Sequence, residues 1–146
     1  MRNMQAMSDS QKQVEELGPL LRDMQEYLYT SEQACQKLPV QFHAGNKAYV
    51  LDMLVKIMEG LHYYQKLLKS AAILLSIDFS ECLYEKISVS LLLDQLCQNF
   101  NGILEAAENE DYSLLNDLVE YDLLSDIDIS RQVLESVLRR YEERVV

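Results

Sequence analysis

Glu59 and His62 are the residues whose types and spacing come closest to a metal-binding motif. They stand three positions apart in a helical pattern, the spacing that places a carboxylate and an imidazole on one face of a di-metal bundle. Such a bundle requires a second Glu-x-x-His, and the other histidine, His43, has no acid three positions before it. We therefore interpret His62 as a structural residue at the edge of an apolar face, and we expect no metal and no cofactor.

Asp126, Asp128 and Ser130 have the spacing of the first three ligands of a calcium-binding loop. However, the sixth position of that loop, which requires glycine, is Arg131, and the twelfth, which requires glutamate, is Val137. The acids are better explained as a cluster at a helix N-terminus, where they complement the helix dipole. The sequence also lacks a Gly-rich phosphate loop, a nucleophile elbow and Cys/His metal spacing, so we expect no catalytic residues and no enzymatic activity.

Negative charge is concentrated in one part of the chain. Residues 87–130, called here the acidic stretch, contain ten Asp and Glu residues and no Lys or Arg, and the whole chain has a net charge of −11. Nucleic acid is disfavoured as a partner because its binding requires clustered cations. An anionic membrane surface is disfavoured for the same reason.

The composition predicts a single domain over residues 1–146. With 49% hydrophobic residues, four Gly and two Pro, the chain is too apolar to be disordered and too poor in turn residues to be all-β. The N-terminus has no apolar segment of the signal-peptide type, and we expect residues 1–9 to be disordered or frayed. Cys35, Cys82 and Cys97 form no CxxC pair and lie in helical patterns, so we expect buried, reduced thiols in a cytoplasmic protein.

Apolar residues recur every three or four positions, the period of amphipathic α-helices. The first pattern covers residues 14–38 and is expected to end at Pro39, with a kink or short break at Gly18-Pro19 and the main helix starting near Pro19. The second forms two adjacent apolar stripes over residues 50–75, so we expect this helix to be central.

Local signals predict three further helices. Asp78 and Glu81 have the spacing of an acidic capping box, and Asn109 is expected to cap a fourth helix. That helix would carry an apolar stripe of Leu114, Leu115, Leu118 and Tyr121, and a last helix would follow residues 125–128. Short connections between long helices favour antiparallel neighbours, so the predicted fold is all-α, an up-and-down antiparallel bundle of about five helices.

Two sets of residues off the buried stripes are candidates for a partner-binding surface. Exposed tyrosines among charged residues are typical of binding surfaces, because they offer a large contact area at low entropy cost. The first set consists of Tyr29, Tyr49 and Tyr63. The second set is the acidic turn with Glu108, Glu110 and Asp111. The alternatives are that these tyrosines cover neighbouring helices and that the acids form a solvated turn.

Three segments carry a resemblance to a known family. The segment at 109–124, with Phe42-x-x-Gly45-Asn46 and Met58-Glu59-Gly60-Leu61, resembles an uncharacterised family of small helical proteins from low-GC Gram-positive bacteria. No function is attached to these motifs. In size, acidity and helical content the chain is also similar, as a class, to bacterial flagellar and secretion chaperones.

These observations favour a non-catalytic helical bundle that binds another protein. The expected partner has a basic or amphipathic helical segment that packs beside the central helix, as in a flagellar or secretion-type chaperone or adaptor. One alternative is a metal- or small-ligand-binding bundle with enzymatic activity, centred on Glu59 and His62. Another is a structural homo-oligomer whose apolar stripes are too wide for one chain.

Overall fold

Helices account for most of the structure, and the all-α prediction is confirmed. The computed structural model describes residues 9–145. In chain order its elements are α1 (Asp9–His43), α2 (Lys47–Leu74), β1 (Cys82–Tyr84), β2 (Ile87–Ser88), α3 (Val89–Glu108), α4 (Tyr112–Asp117), a π-helical segment (Leu118–Leu123) and α5 (Leu124–Val145). Asp9 is already helical, and the rest of the segment expected to be disordered or frayed lies outside the described residues.

The first helix continues through both of its prolines. Pro19 has no N–H, so it cannot donate to the carbonyl of Glu15 one turn earlier. The hydroxyl of Tyr141 in α5 donates to that carbonyl instead, over 3.3 Å. Gly18 permits this approach, because a Cβ there would lie 2.5 Å from the Tyr141 oxygen. The predicted alternative of a short break is therefore wrong, as is the predicted end at Pro39, since α1 continues to His43.

A small hairpin, rather than a helix, follows α2. Asp78 does not start a helix, because its Oδ1 accepts hydrogen bonds from the amide (2.8 Å) and hydroxyl (2.7 Å) of Ser80 in a local turn. The antiparallel strands β1 and β2 come next, joined through Glu85 with a φ of +53°. The N-cap of α3 is Ser88, whose hydroxyl accepts from the Leu91 amide at 3.1 Å. The predicted acidic capping box at Asp78 is therefore wrong, since the helix begins about ten residues later than that box would place it.

The predicted fourth and fifth helices form one continuous rod. α4, the π-helical segment and α5 follow each other without a non-helical residue. The described residues therefore form four helical rods instead of about five. Asp111 is the N-cap of the last rod, since its Oδ1 accepts from the Leu114 amide at 3.2 Å. Asn109, which was expected to cap this helix, is instead the C-cap of α3.

The core consists largely of the predicted apolar stripes. All eight residues of the α1 stripe are buried, as are those of the last helix. Of the four residues on the stripe of the fourth predicted helix, Leu115 is buried and Leu118 is half-buried, whereas Leu114 and Tyr121 are exposed. α1 packs extensively against both α2 and α5, whereas α2 has only limited contact with α3 and α5, so the central position predicted for α2 is wrong. Within residues 9–145, no helix has the length and apolarity that crossing a membrane requires.

The cysteines do not behave alike. Cys35 is buried in α1, and burial raises the pKa of its thiol to about 12, with a further contribution from the charge of Glu32. Cys82 on β1 and Cys97 on α3 are exposed. The prediction of three buried thiols is therefore correct for one residue, and the strand position of Cys82 also differs from the expected helix.

We predict that Tyr141→Phe destabilises the fold by about 1–2 kcal/mol, because it leaves the Glu15 carbonyl without a donor. In a Pro19→Ala background, residue 19 regains its N–H and can satisfy that carbonyl within the helix. The same Tyr141→Phe substitution should then cost less than about 0.5 kcal/mol. Urea unfolding of the four proteins measures both values, and an equal cost in the two backgrounds would contradict this explanation.

We also predict opposite effects of alanine at two helical glycines. A Cβ on Gly60 would overlap the ring of Tyr27, so Gly60→Ala should destabilise by about 1–3 kcal/mol. Gly102 is the matched control, since its Cβ would lie 3.7 Å from Leu118 Cδ1 in ordinary contact. Gly102→Ala should stabilise by about 0.5–1 kcal/mol through helix propensity. A urea midpoint that rises for Gly60→Ala, as it should for Gly102→Ala, would show that the Tyr27 contact is unimportant.

Candidate functional site

A long apolar cleft lies between α1 and α2. It consists of two adjoining cavities of about 410 and 240 Å³, which share Leu20 and Tyr63 in their walls. We call it the Tyr63 groove. Its α1 wall runs over the fifteen residues from Gln13 to Tyr27, about 21 Å of helix. A cleft of this length matches three to four turns of a partner helix.

Within residues 9–145, no further helix covers several apolar side chains in the walls of the Tyr63 groove. Leu20 is 42% exposed, Tyr63 49% and Ile73 70%, whereas Leu17 and Leu67 are buried at its floor. Tyr63 was predicted from the sequence as a candidate for partner binding, whereas Leu20 and Ile73 were not. Both could have been found from the sequence, because they are large apolar residues that lie off the buried stripes.

A tyrosine–glycine contact sets the spacing of the two walls. Tyr27 of α1 packs its ring against Gly60 of α2, and its hydroxyl donates to the Lys56 carbonyl over 3.2 Å. Because Gly60 has no side chain, the helices approach closely here. Polar groups flank the apolar walls, namely Glu16 and Asp23 on α1 and Lys66 on α2.

The other two candidate tyrosines lie elsewhere. The ring of Tyr29 packs under the guanidinium of Arg131, whose carbon is 5.2 Å from the ring centre. Arg131 also forms an ion pair with Glu32. Tyr29 therefore contributes to the contact between α1 and α5, in line with the alternative that it covers a neighbouring helix. Tyr49 is exposed in the first turn of α2.

The acidic turn has a clear local structural role. Glu108 ends α3, and Glu110 adopts a φ of +55° in the connection. Asp111 is engaged as the N-cap of α4, and its amide donates to the Ala106 carbonyl at 2.9 Å. All three acids are exposed, so their charges face solvent.

The arginines of the last helix do not neutralise the acidic stretch. Arg131 pairs with Glu32 and Arg140 pairs with Glu81, both outside residues 87–130. None of the ion pairs within the described chain includes an acid of the acidic stretch. Within the described residues, no ion pair therefore offsets the charge of the acidic stretch.

Comparison with known proteins places the chain in a family. A family model described as Domain of unknown function (DUF8042) matches residues 19–132. The chain belongs to this family. No curated protein and no solved structure matches it. The matched region includes the whole α2 wall of the Tyr63 groove and the α1 wall from Leu20 onward.

Glu59 and His62 of this DUF8042 chain lie in a different cleft, between α2 and α3. This cleft, which we call the α2–α3 groove, has a volume of about 670 Å³ and is also lined by Cys97. Both Glu59 and His62 are exposed. Within residues 9–145, no group of three or more His, Cys, Asp or Glu side chains has a metal-binding arrangement.

Asp126 is a buried carboxyl rather than a charge at a free helix end. The helix continues on both sides of it, and Asn99 of α3 donates to its Oδ2 over 2.5 Å. Burial raises the pKa of Asp126 to about 6, against the lowering effect of the Asn99 hydrogen bond, and the charge of Asp122 raises it further. The predicted dipole role of this acid is therefore wrong, because a continuous helix offers no free amides at this position.

We predict a pH-dependent stability that originates at Asp126. The unfolded carboxyl loses its proton near pH 4 and the folded one near pH 6, so the folded state binds more protons between these values. The free energy of unfolding should therefore fall as pH rises from about 4 to about 6. Asp126→Asn should stabilise the protein by about 1–3 kcal/mol at pH 7.5, with little gain at pH 4.

The matched control for this prediction is Asp128→Asn, which removes an exposed acid two positions away in the same helix. Urea unfolding at pH 4, 6 and 7.5 measures the difference. If both variants changed stability equally at each pH, general charge repulsion, and not the burial of Asp126, would be the cause.

Proposed function

We propose that this DUF8042 chain is a non-catalytic protein-binding module that receives an amphipathic helix of a partner protein in the Tyr63 groove. The observation that carries the proposal is the uncovered apolar wall formed by Leu20, Tyr63 and Ile73. Contiguous exposed apolar surface on a soluble domain marks interaction sites, because leaving it in water is unfavourable.

Tyr63 is the proposed anchor of this interface. It lies at the junction of the two cavities, so a bound helix would pack against it whichever half of the groove it fills. A half-exposed tyrosine provides a large apolar ring and a polar hydroxyl, and such residues are frequent binding hot spots near the centre of interfaces. Tyr29 and Tyr49 remain candidates for secondary contacts at other faces.

The charges around the groove favour a partner segment of mixed or basic character. Glu16 and Asp23 on the α1 wall can pair with basic side chains at the edge of a bound helix, and Lys66 can pair with an acidic one. The unpaired acidic stretch adds long-range attraction for a basic partner and repulsion of acidic ones. A cytoplasmic chaperone or adaptor of the flagellar or secretion type is the most specific form of the proposal.

We also infer the up-and-down antiparallel arrangement of neighbouring helices. Two contacts between α1 and α5 support it. Gly18 contacts Tyr141, and Glu32 pairs with Arg131, so residue numbers fall along α5 as they rise along α1. Short connections such as the three residues between α1 and α2 also suit this arrangement.

We predict that Tyr63→Ala weakens partner binding by about thirtyfold, the effect of losing a hot-spot side chain. The test is a pull-down with the tagged protein from lysate of its source organism, quantified by mass spectrometry, followed by titration of the recovered partner. Tyr121→Ala is the matched control, because Tyr121 is exposed in the π-helical segment, outside the Tyr63 groove. Circular dichroism confirms that each variant is folded.

Single variants Tyr29→Ala and Tyr49→Ala complete the series and locate any secondary contacts. A partner that binds all tyrosine variants as tightly as the wild type would rule out the Tyr63 groove as its site. Recovery of the protein alone, with a concentration-dependent mass in solution, would favour the structural homo-oligomer instead.

A further inference from the structure

The α2–α3 groove is separate from the Tyr63 groove and differs from it in chemistry. It lies on the other edge of α2 and has a volume of about 670 Å³, within the usual range for small-molecule sites. Its α2 wall covers the eleven residues from Val55 to Gln65, or about 15 Å of helix. Apolar side chains line one end of the groove, and polar side chains line the other.

One end of the α2–α3 groove is apolar. Val55 and Met58 of α2 face Phe100 and Leu104 of α3 there. Val55 and Leu104 are each more than half exposed, although both are large aliphatic residues. An apolar chain bound between them would remove this surface from water.

The other end is polar and contains an incompletely satisfied amide. Gln65 is only 6% exposed, and its Nε2 donates to the Cys97 Sγ over 3.6 Å, a weak acceptor. Among the described residues, no group donates a hydrogen bond to its Oε1. This oxygen is not fully buried, so it is accessible from the groove, where a donor on a bound head group can replace the water that solvates it.

The charge of the groove restricts what it can accept. Its lining contains Glu59 and His62 but neither Lys nor Arg, and its α3 wall belongs to the acidic stretch, whose acids form no ion pairs in the described chain. A carboxylate or phosphate buried here would lack a Lys or Arg side chain to offset its lost hydration. An uncharged or cationic ligand avoids this cost.

We propose that the α2–α3 groove binds a small amphiphile, whose apolar chain lies between Val55 and Leu104 and whose uncharged or cationic head group donates a hydrogen bond to Gln65 Oε1. This site goes beyond the proposed protein-binding function and uses a different face of α2. The two proposals can therefore be tested independently.

The cysteines supply the test, because Cys97 lines the groove and Cys82 is an exposed thiol on β1 outside it. The rate of N-ethylmaleimide modification at each thiol is measured by peptide mass spectrometry in the same sample. The probes are 1-decanol below its solubility limit and decylammonium and decanoate below their micelle concentrations. We expect 1-decanol and decylammonium at saturation to slow modification of Cys97 about tenfold and to leave Cys82 unchanged.

Decanoate should give less than about twofold protection, because the groove has neither Lys nor Arg to receive it and one of its walls lies in the acidic stretch. The methyl ether of 1-decanol, which cannot donate a hydrogen bond, should bind about fivefold more weakly than the alcohol. Gln65→Leu should remove this difference between alcohol and ether. Leu104→Trp is a second variant at an exposed position, and filling the apolar end should abolish protection without loss of fold.

Several outcomes would overturn the proposal. Equal protection of Cys97 and Cys82, or no protection by any neutral or cationic probe, would show that the groove is not a site for amphiphiles. Protection by decanoate equal to that by decanol would overturn the charge argument and with it the ligand class. Protection of Cys97 that grows with protein concentration alone would show that a second copy of the chain covers the groove.

Discussion

The hydroxyl of Tyr141 provides the hydrogen bond that Pro19 cannot, and the position of the longest helix depends on this contact. α1 is 35 residues long and packs against both α2 and α5. A proline in its first half would ordinarily kink or break it. Because Gly18 leaves room for the tyrosine ring, α5 satisfies the free Glu15 carbonyl and holds the two helices together at the same point. The hydrogen bond that Pro19 cannot make in α1 thereby determines where α5 packs.

The contact between Tyr27 and Gly60 repeats this arrangement on the other side of α1. In both cases a tyrosine ring lies on a helical glycine, and its hydroxyl donates to a backbone carbonyl of the preceding turn. Such a contact brings two helices close at one level but leaves space at other levels, where larger side chains separate them. The Tyr63 groove occupies that space. It is therefore a consequence of the contact between Tyr27 and Gly60, which fixes the distance between α1 and α2.

Sequence patterns predicted the long helices well because their burial follows a regular period. The stripe of α1 stays in phase from Val14 to Leu38, and such a pattern reports packing directly. Helix ends were predicted poorly, because capping signals are short and occur by chance. Asp78 had the spacing of a cap, yet it forms a local turn with Ser80. Tyr63 was identifiable as an aromatic residue off the stripes, but which residues join it in a groove depends on the neighbouring helix.

The distribution of charge separates the roles of the two grooves. At physiological ionic strength, charges act over a Debye length of about 8 Å, so the acidic stretch affects most strongly the surfaces that its own residues form. α3 lies in this stretch and forms one wall of the α2–α3 groove, whereas both walls of the Tyr63 groove lie outside it. Arg131 and Arg140 pair with Glu32 and Glu81, which lie outside the acidic stretch. The acidic stretch therefore disfavours anions at the α2–α3 groove, whereas the proposed binding of a helix in the Tyr63 groove would depend mainly on its apolar walls and the few charges beside them.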